Sequence, residues 1–205
     1  MTYKIFKNIG DRLFGACLLL VTLPILSILL MLVFIEDPSS SPIFKQKRIG
    51  YKNNEFNLYK LRSMSSKTHY NGRKLTDKER MLKIGKVIRK TSLDELPQIY
   101  NILKGEMSFI GPRPLSIKYL DYYTEQEIKR HRVKPGISGW AQVNGRNTIN
   151  WEEKFSFDLY YVKNISLQLD LKILFLTLIK IFKSSEVTTR GEGAEVDFHE
   201  YRKNN

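Results

Sequence analysis

The longest hydrophobic segment of the chain covers residues 13–35, where almost every position is apolar. At a rise of about 1.5 Å per residue, a helix of this length reaches roughly 34 Å, enough for a hydrocarbon core of about 30 Å. Pro24 stands at its middle, where a proline removes a backbone donor and kinks a helix. Lysines and arginines flank the segment on both sides, so the positive-inside tendency draws both ends toward the same face of a membrane. We therefore predict a re-entrant helix that enters, bends at Pro24 and returns.

Two other interpretations of this segment stay open. A helix that crosses the membrane needs no bend, and a secretory signal peptide also contains an apolar run. The residues that follow, EDPSSSP at positions 36–42, lack the small-x-small pattern of a cleavage site. The signal peptide is therefore the weakest of the three interpretations.

Shorter patterns after this segment predict a small β-hairpin and a capped helix. Ile43–Ile49 and residues 56–61 are rich in β-favouring side chains and are separated by a turn sequence. Thr76 and Glu79 have the spacing of a capping box. They predict the start of a helix that carries its apolar residues on one face as far as Ile88.

Adjacent acids, Asp94 and Glu95, stand at the predicted start of the next helix. Pro97 then falls in the first turn, where a proline forfeits no intrahelical hydrogen bond. Gly105 is predicted to end this helix, because glycine readily adopts the left-handed conformation of a C-terminal cap.

The second half of the chain alternates helical patterns with loops. Residues 119–132 predict another helix, and residues 134–147 a loop punctuated by proline and glycine. Residues 165–182 are apolar with charges interspersed, which favours an amphipathic helix at a membrane interface, although a buried core helix fits nearly as well. Residues 184–205 are polar and are expected to be weakly ordered. These patterns predict a mostly helical α+β fold with a re-entrant membrane hairpin, a small β-hairpin and amphipathic interfacial helices.

Charge narrows the range of partners. The 205 residues include 34 Lys and Arg against 21 Asp and Glu, a formal net charge of +13. Such a charge implies an anionic partner, which could be nucleic acid, an acidic membrane or a phosphorylated substrate. One cysteine, Cys17, excludes an intrachain disulfide, and three widely spaced histidines form no recognisable zinc pattern. Chemistry in this chain must rest on carboxylates, arginines and lysines.

The acid pair is the strongest candidate for chemistry. Acids at a helix N-terminus also have a purely structural use, since they accept backbone hydrogen bonds and complement the helix dipole. Cations on both sides, among them Arg89 and Arg113, favour a phosphorylated substrate. A carboxylate can attack phosphorus covalently, and magnesium is the usual ion that neutralises phosphate oxygens. The prolines beside Arg113 stiffen its backbone for bidentate phosphate binding, although Pro-Arg-Pro also suits a simple turn.

Four motifs in one order carry a family resemblance. They are YKLRSM at 59–64, RKTSLDELPQ at 89–98, KGEMSFIGPRP at 104–114 and PGISGWAQVNGR at 135–146. This series closely resembles the monotopic phosphoglycosyl transferases, bacterial sugar transferases that start glycan assembly on a polyprenyl phosphate carrier. The resemblance extends to about residue 183.

The resemblance implies an activity and roles for named residues. The expected reaction transfers a phosphosugar from a UDP-sugar to undecaprenyl phosphate and releases UMP, with Mg²⁺ as cofactor. Asp94 matches the family's nucleophile, which forms a phosphosugar-enzyme intermediate and contacts the metal, and Glu95 matches the second acid of the dyad. The remaining positions expected to orient the dyad or bind substrate phosphate are Lys60, Arg89, Arg113, Arg146 and Asp170.

The same resemblance implies a location and a domain arrangement. Residues 1–37 match a membrane-embedded re-entrant helix, residues 38–183 a catalytic domain on the cytoplasmic face of the bacterial inner membrane, and residues 184–205 a polar tail. The family often has serine before the bending proline, whereas Leu23 stands here and Thr22 is the nearest hydroxyl. A homodimer is an open alternative to a monomer.

Two other classes of function are compatible with parts of the sequence. A basic membrane-anchored nucleic-acid-binding protein fits the charge, yet the sequence has no helix-turn-helix, zinc-finger or RNA-recognition signature, so no nucleic-acid partner is expected. A non-catalytic membrane scaffold would not need the acid pair. No motif identifies the sugar.

Overall fold

The computed structural model describes residues 2–145, 149–183 and 197–204. Helices predominate in these residues, and the strands form three two-stranded sheets. The helices are α1 (Thr2–Glu36), α2 (Asp77–Arg80), α3 (Lys83–Lys90), α4 (Gln98–Lys104), α5 (Trp140–Asn144), α6 (Trp151–Asn164), α7 (Leu167–Lys183) and α8 (Phe198–Asn204). The strands are β1 (Ile43–Ile49), β2 (Glu55–Leu61), β3 (His69–Tyr70), β4 (Arg73–Lys74), β5 (Ser108–Ile110) and β6 (Gly136–Ser138). The predicted mostly helical fold with a small β-hairpin is confirmed.

The first helix continues through Pro24 as a single element. Pro24 has no amide hydrogen and cannot donate to the carbonyl of Leu20, one turn earlier. The hydroxyl of Thr22 donates to the carbonyl of Leu18 at 2.7 Å, a side-chain bond of the kind that often bends helices. Helix α1 is therefore weakened around Pro24, because one backbone hydrogen bond is missing there and the Thr22 hydroxyl bonds to a backbone carbonyl.

Both ends of α1 pack on the rest of the protein, while its middle is exposed. The first half contacts α4 at Gly15. Near its end, Leu29 and Val33 are buried in a core cluster with side chains of β2 and α3. Between these contacts, Leu20 and Val21 are 72% and 73% exposed. One stretch of 18 or more residues of α1 is long and apolar enough to cross a membrane, and it is largely unburied.

The β-hairpin is formed by β1 and β2, which pair antiparallel from Ile43 opposite Leu61 to Ile49 opposite Glu55. A salt bridge connects the end of the hairpin to the end of α1, where Arg62 Nη1 lies 2.6 Å from Asp37 Oδ2. Both side chains are buried, so this contact fixes the hairpin against α1.

The helix predicted from Thr76 to Ile88 is wrong in extent. The capping box at Thr76 is present, but it starts a helix of one turn, α2. Leu82 is extended and donates its amide hydrogen to the Ser63 carbonyl, which interrupts the helix. The carboxylate of Glu36 then accepts hydrogen bonds from the first amides of α3. A long-range contact therefore replaces the continuous helix that local spacing predicts.

The start predicted for α4 is also corrected. The acid pair lies in a separate 3₁₀ turn, Leu93–Glu95, and α4 begins after it at Gln98. The reason is Ser92, whose left-handed φ of 58° redirects the chain immediately before the acids. Gly105, with φ of 79°, ends α4 as predicted.

The helix predicted over residues 119–132 is instead two 3₁₀ helices, Ile117–Tyr122 and Glu127–Arg132. Thr124 and Glu127 exchange side-chain and backbone hydrogen bonds between them and start a new turn. The segment predicted as a loop over 134–147 contains β6 and α5. Its last two residues, 146 and 147, lie outside the described part of the chain.

The predicted amphipathic helix is present as α7. Asp170 and Ile173 are buried against the protein. On the outer face, six large apolar side chains are between 43% and 63% exposed: Leu167, Leu171, Leu174, Phe175, Leu178 and Ile181.

The weak order expected of the tail is wrong for its last residues, which form α8. Phe198 is fully buried in an aromatic cluster with Tyr119, Trp151 and Phe155. Asp197 adds an ion pair at 2.6 Å to Lys118. Burial of the Phe198 ring stabilises this segment, although the composition of the segment is mostly polar. The rest of the predicted tail, residues 184–196, lies outside the described residues.

Candidate active site

The acid pair is buried although both of its members are charged. Asp94 is 5% exposed and Glu95 8% exposed. Their turn is fixed by Leu93 and Leu96, which flank the acids and pack against the core cluster formed by α1, β2 and α3. Neighbouring apolar residues therefore place two carboxylates where water has little access.

One lysine contacts both acids. Lys60 is the next-to-last residue of β2, and its Nζ lies 3.4 Å from Asp94 Oδ2 and 3.3 Å from Glu95 Oε1. The contact joins residues 34 and 35 positions apart. The resemblance placed Lys60 beside the dyad, and the structure brings the three side chains together.

Arg113 contacts Glu95 from another segment. Its Nη2 lies 3.2 Å from Glu95 Oε1, and its side chain is 41% exposed. The backbone of Arg113 is fixed by Arg130, which donates from Nη2 to the Arg113 carbonyl at 2.8 Å. Arg130 is in turn fixed by Asp158, whose Oδ2 accepts two hydrogen bonds at 2.7 and 2.9 Å. A buried ion pair thus positions a cation of the site without contacting the acids itself.

A close backbone approach positions the Gly-Pro-Arg-Pro segment. Strands β5 and β6 pair in parallel, and the amide of Gly136 donates to the Pro112 carbonyl at 3.0 Å. A Cβ on Gly136 would collide with the backbone of Gly111, and a Cβ on Gly111 would collide with the Lys134 carbonyl. Only glycine permits this packing, which sets the position from which Arg113 reaches the dyad.

A cavity of about 150 Å³ lies beside the dyad. Lys60 and Arg113 line it, and each contacts an acid of the dyad. A third cation, Arg48, also lines it, together with the aromatic rings of Tyr119 and Trp151. The arrangement suits an anion that approaches two buried carboxylates between cations.

Two other predicted residues have different contacts. Arg89 donates to Ser63 Oγ at 2.8 Å and contacts the Met64 sulfur at 3.1 Å. Its hydrogen bonds within the described residues therefore go to the segment after β2 and not to the dyad. Arg146 lies outside the described part of the chain.

Asp170 is the centre of a separate cluster. It accepts hydrogen bonds from Tyr3 at 2.6 Å, Lys7 at 2.6 Å and Tyr161 at 2.7 Å. These partners join the start of α1 to α6 and α7. The structure therefore places Asp170 in an anchoring contact and not against the acids that the resemblance implied it would orient.

Comparison with known proteins identifies the family to which the chain belongs. The family model for bacterial sugar transferases matches residues 2–184. The chain belongs to the bacterial sugar transferase family. Its N-terminal apolar helix, its dyad and its cation-lined cavity all lie within the matched region.

Several relatives of this sugar transferase are known by name. It is 48% identical over 184 residues to the uncharacterized sugar transferase EpsL of Bacillus subtilis, an alignment that covers 89% of this chain and 90% of EpsL. It is 41% identical to a UDP-N-acetylgalactosamine-undecaprenyl-phosphate N-acetylgalactosaminephosphotransferase of Aeromonas hydrophila, over 77% of this chain and 40% of that protein. It is 37% identical to the UDP-glucose:undecaprenyl-phosphate glucose-1-phosphate transferase of Escherichia coli, over 87% of this chain and 40% of that protein. The chain thus spans less than half of the two relatives whose reactions are named.

Sequence reasoning missed several residues of the transferase site. Arg48 is one of the basic residues that follow the apolar segment in sequence, and no motif distinguishes it, yet it lines the cavity. Arg130 and Asp158 gave no signal, because their contact spans 28 positions of sequence and neither belongs to a motif. Of the aromatic residues of the cavity wall, Tyr119 follows the Pro-Arg-Pro motif closely in sequence, whereas Trp151 is distant from it, and only the fold brings both to the cavity.

The donor set of the transferase site fits magnesium. Mg²⁺ is usually bound by one or two carboxylates together with substrate phosphates and water, and not by a cage of protein ligands. Asp94 and Glu95 provide two carboxylates, and the cations that they contact, Lys60 and Arg113, line the cavity. No cluster of three or more His, Cys, Asp or Glu side chains suited to a metal occurs in the described residues.

Proposed function

We propose that this chain transfers a sugar phosphate from a UDP-sugar to undecaprenyl phosphate, releases UMP, and thereby performs the first membrane step of bacterial glycan assembly. The observation that carries the proposal is the buried dyad contacted by Lys60 and Arg113 at a cation-lined cavity. Both substrates are polyanions, and a site of this charge attracts them. The names of the Aeromonas and Escherichia relatives describe this class of reaction.

Asp94 is the nucleophile of the proposed mechanism. A carboxylate oxygen of Asp94 attacks the phosphorus that carries the sugar, the bond from that phosphorus to the bridging oxygen breaks, and UMP leaves with the bridging oxygen. Both acids contact Lys60, and Glu95 also contacts Arg113. We assign the attack to Asp94, which matches the nucleophile of the family, and we assign to Glu95 the orientation of Arg113 toward the phosphate.

The second half of the reaction regenerates the carboxylate of Asp94. An oxygen of undecaprenyl phosphate attacks the phosphorus on Asp94, the bond from phosphorus to the carboxylate oxygen breaks, and the lipid diphosphate sugar leaves. The covalent relay keeps the two anionic substrates apart, because UMP departs before the lipid phosphate arrives. Lys60 and Arg113 stabilise the charge on the transferred group by hydrogen bonds to its oxygens, which is the main demand of phosphoryl transfer.

Magnesium is the proposed cofactor, and Asp94 and Glu95 are the residues that would bind it. When bound, the ion neutralises phosphate oxygens that would otherwise repel the attacking carboxylate.

The membrane arrangement is proposed from the exposure of α1 and α7. Helix α1 is attached to the same protein body at both ends, and its exposed apolar middle is the part available to lipid. We infer that residues 1–37 enter the bacterial cytoplasmic membrane from one side without crossing it. The exposed apolar face of α7 lies at the interface, and residues 38–183 form the catalytic domain on the cytoplasmic side. This position places the dyad near the depth of a lipid phosphate.

The function is tested with purified protein, magnesium, undecaprenyl phosphate and a panel of UDP-sugars. Release of UMP with one donor, dependent on the lipid, is the expected result, and the panel also identifies the sugar. Omission of the lipid should leave a phosphosugar adduct on Asp94, detected by mass spectrometry of the corresponding peptide. No UMP from any UDP-sugar, with protein shown to be folded, would contradict the proposal.

Topology is tested by cysteine labelling in intact cells. Because Cys17 is exposed, the labels are placed in a Cys17→Ser background, one at Lys4 and one at Lys52. Both positions should be protected from a membrane-impermeant reagent until the membrane is opened. Labelling of one position outside the cell and protection of the other would establish a spanning helix.

A further inference from the structure

The cavity beside the dyad contains a cation to which the proposed function assigns no role. Arg48 belongs to β1, where it pairs with Phe56 of β2 and forms a bridge with Ser116 on its other side. Ile49, the next residue, donates to the Leu115 carbonyl at 3.1 Å. The Arg48 backbone is therefore fixed between the hairpin and the segment that follows the Pro-Arg-Pro motif.

The hydrogen bonds of Arg48 leave its guanidinium incompletely satisfied. Within the described residues, its Nη2 donates to the neutral side chain of Gln46 at 2.6 Å, and its Nε is buried without a partner. Lys60 and Arg113 each contact a carboxylate of the dyad, whereas Arg48 forms no ion pair in the described residues. A buried charged donor without an acceptor is unfavourable, so the site is incomplete until an acceptor arrives.

The surroundings of Arg48 indicate the charge of that acceptor. Burial lowers the pKa of Arg48, and the positive charge of Arg113 lowers it further. Both arginines line the same cavity, and two guanidinium groups in one cavity repel each other. An anion that accepts hydrogen bonds from both guanidinium groups would offset this repulsion, because each group would be attracted to the anion.

We propose that Arg48 and Arg113 together bind the diphosphate of the nucleotide-sugar, with Arg48 on the phosphate that leaves as part of the nucleotide. The assignment rests on the proposed function. Arg113 contacts Glu95, next to the attacking acid, so it faces the phosphate that is transferred. Arg48 contacts neither acid and is left for the other phosphate. A nucleoside diphosphate offers one phosphate to each guanidinium, whereas a lipid phosphate offers a single group.

The test compares two neighbouring residues of β1. Arg48→Met removes the charge and the forked donors but keeps an unbranched stem. Lys47→Gln removes the same charge from a side chain that is 64% exposed and paired with Glu55. Calorimetry on the full chain in lipid nanodiscs measures the binding of UDP, inorganic pyrophosphate and dodecyl phosphate, each with and without magnesium.

The expected result separates the two phosphate sources. Arg48→Met should weaken UDP and pyrophosphate about tenfold or more, the range for a lost charge-assisted hydrogen bond, and change dodecyl phosphate less than about twofold. Lys47→Gln should bind all three like the wild type. Unchanged pyrophosphate binding by Arg48→Met, or an equal loss for dodecyl phosphate, would overturn the assignment.

A second variant decides the matter if Arg48→Met does not fold. Arg48→Lys keeps the charge and the stem but loses the fork, so UDP should bind several-fold more weakly. UDP binding equal to that of the wild type would overturn the proposal. These measurements need no turnover, so a failure to release UMP from any UDP-sugar would contradict the proposed function and leave the binding result standing.

Discussion

The acid pair and the single acid Asp170 are buried to a similar degree, but their hydrogen-bond partners hold them very differently. Asp94 and Glu95 are 5% and 8% exposed, and Asp170 is 7% exposed. Asp170 accepts three hydrogen bonds of 2.6 to 2.7 Å, whereas Lys60 and Arg113 lie 3.2 to 3.4 Å from the dyad. The dyad also lies beside a cavity lined by these cations. Burial alone therefore does not distinguish the proposed reactive acids from an anchoring acid, whereas the cation-lined cavity beside the dyad does.

The largest effect that would sharpen this comparison is expected from Asp94→Asn. Amide nitrogen and oxygen cannot replace the attacking carboxylate, so the rate of UMP release should fall at least about 10³-fold. The midpoint of thermal unfolding in detergent should stay close to that of the wild type, because Lys60 still contacts Glu95. Turnover at the wild-type rate in this variant would remove Asp94 from the role of nucleophile.

Asp158 is a further acid, and it tests an ion pair that is almost completely buried. It is paired with Arg130, and both side chains are almost completely buried. Asp158→Asn should lower the free energy of unfolding by about 3–5 kcal/mol, because it leaves a buried guanidinium without its counter-charge. Denaturant titration measures this loss.

The matched control for Asp158 is Glu55→Gln on the protein surface. It breaks the Lys47–Glu55 pair, whose side chains are 64% and 54% exposed, and should change the free energy of unfolding by less than about 1 kcal/mol. Equal losses in the two variants would show that burial of the Arg130–Asp158 pair is not what makes it important.

A smaller change in stability is expected from Asp170→Asn. Its three donors would meet an amide that accepts fewer hydrogen bonds, and Lys7 would lose its 2.6 Å partner. The expected cost is about 1–3 kcal/mol in the free energy of unfolding, with kcat and KM of the folded fraction nearly unchanged. A large fall in kcat at wild-type stability would instead return Asp170 to the dyad-orienting role that the resemblance implies.

The smallest effect is a loss of stability in mild acid. Burial, and then the charge of Arg130, lower the pKa of His131 to about 3 from a usual value near 6.5. The unfolded chain therefore binds a proton on His131 below about pH 6.5 that the folded chain refuses until about pH 3, so stability falls as pH is lowered through this window. At pH 5.5 the expected contribution is about 1 kcal/mol.

His131→Gln provides the comparison for the acid effect. It should flatten the pH dependence of the free energy of unfolding between pH 7 and pH 5. An equally steep fall in the variant would assign the acid sensitivity to other groups.

The parts of the fold that sequence predicted correctly are those set by adjacent residues. The capping box at Thr76 and the cap at Gly105 depend on residues within a few positions, and the β-hairpin depends on two strands joined by a short turn. Two of the errors occur where a distant contact prevails over a local pattern. The Ser63 carbonyl interrupts the helix that follows Thr76, and burial of Phe198 orders a polar tail.

The candidate active site shows the same difference between local sequence patterns and distant contacts. The motifs named the two acids, Lys60 and Arg113 as site residues because those positions carry the resemblance, and the structure brings their side chains together. The role of Arg130 and the position of Arg48 follow from long-range packing that no motif records. Arg89 and Asp170 belong to matching motifs, yet their contacts in this structure are with Ser63 and with the anchor of α1.

The close backbone approach of Gly111 and Gly136 connects two motifs that are separate in sequence and holds them in one rigid arrangement. A substitution in either glycine would displace the other strand, and Arg113 with it. The chain between the two glycines is also fixed by the buried side chains of Tyr119 and Arg130. Insertions near exposed Glu125, which lies between these two residues, should therefore be tolerated better than a single added methyl group at either glycine. In evolutionary terms, the two motifs would be inherited as a pair, and differences in length between them would concentrate around Glu125.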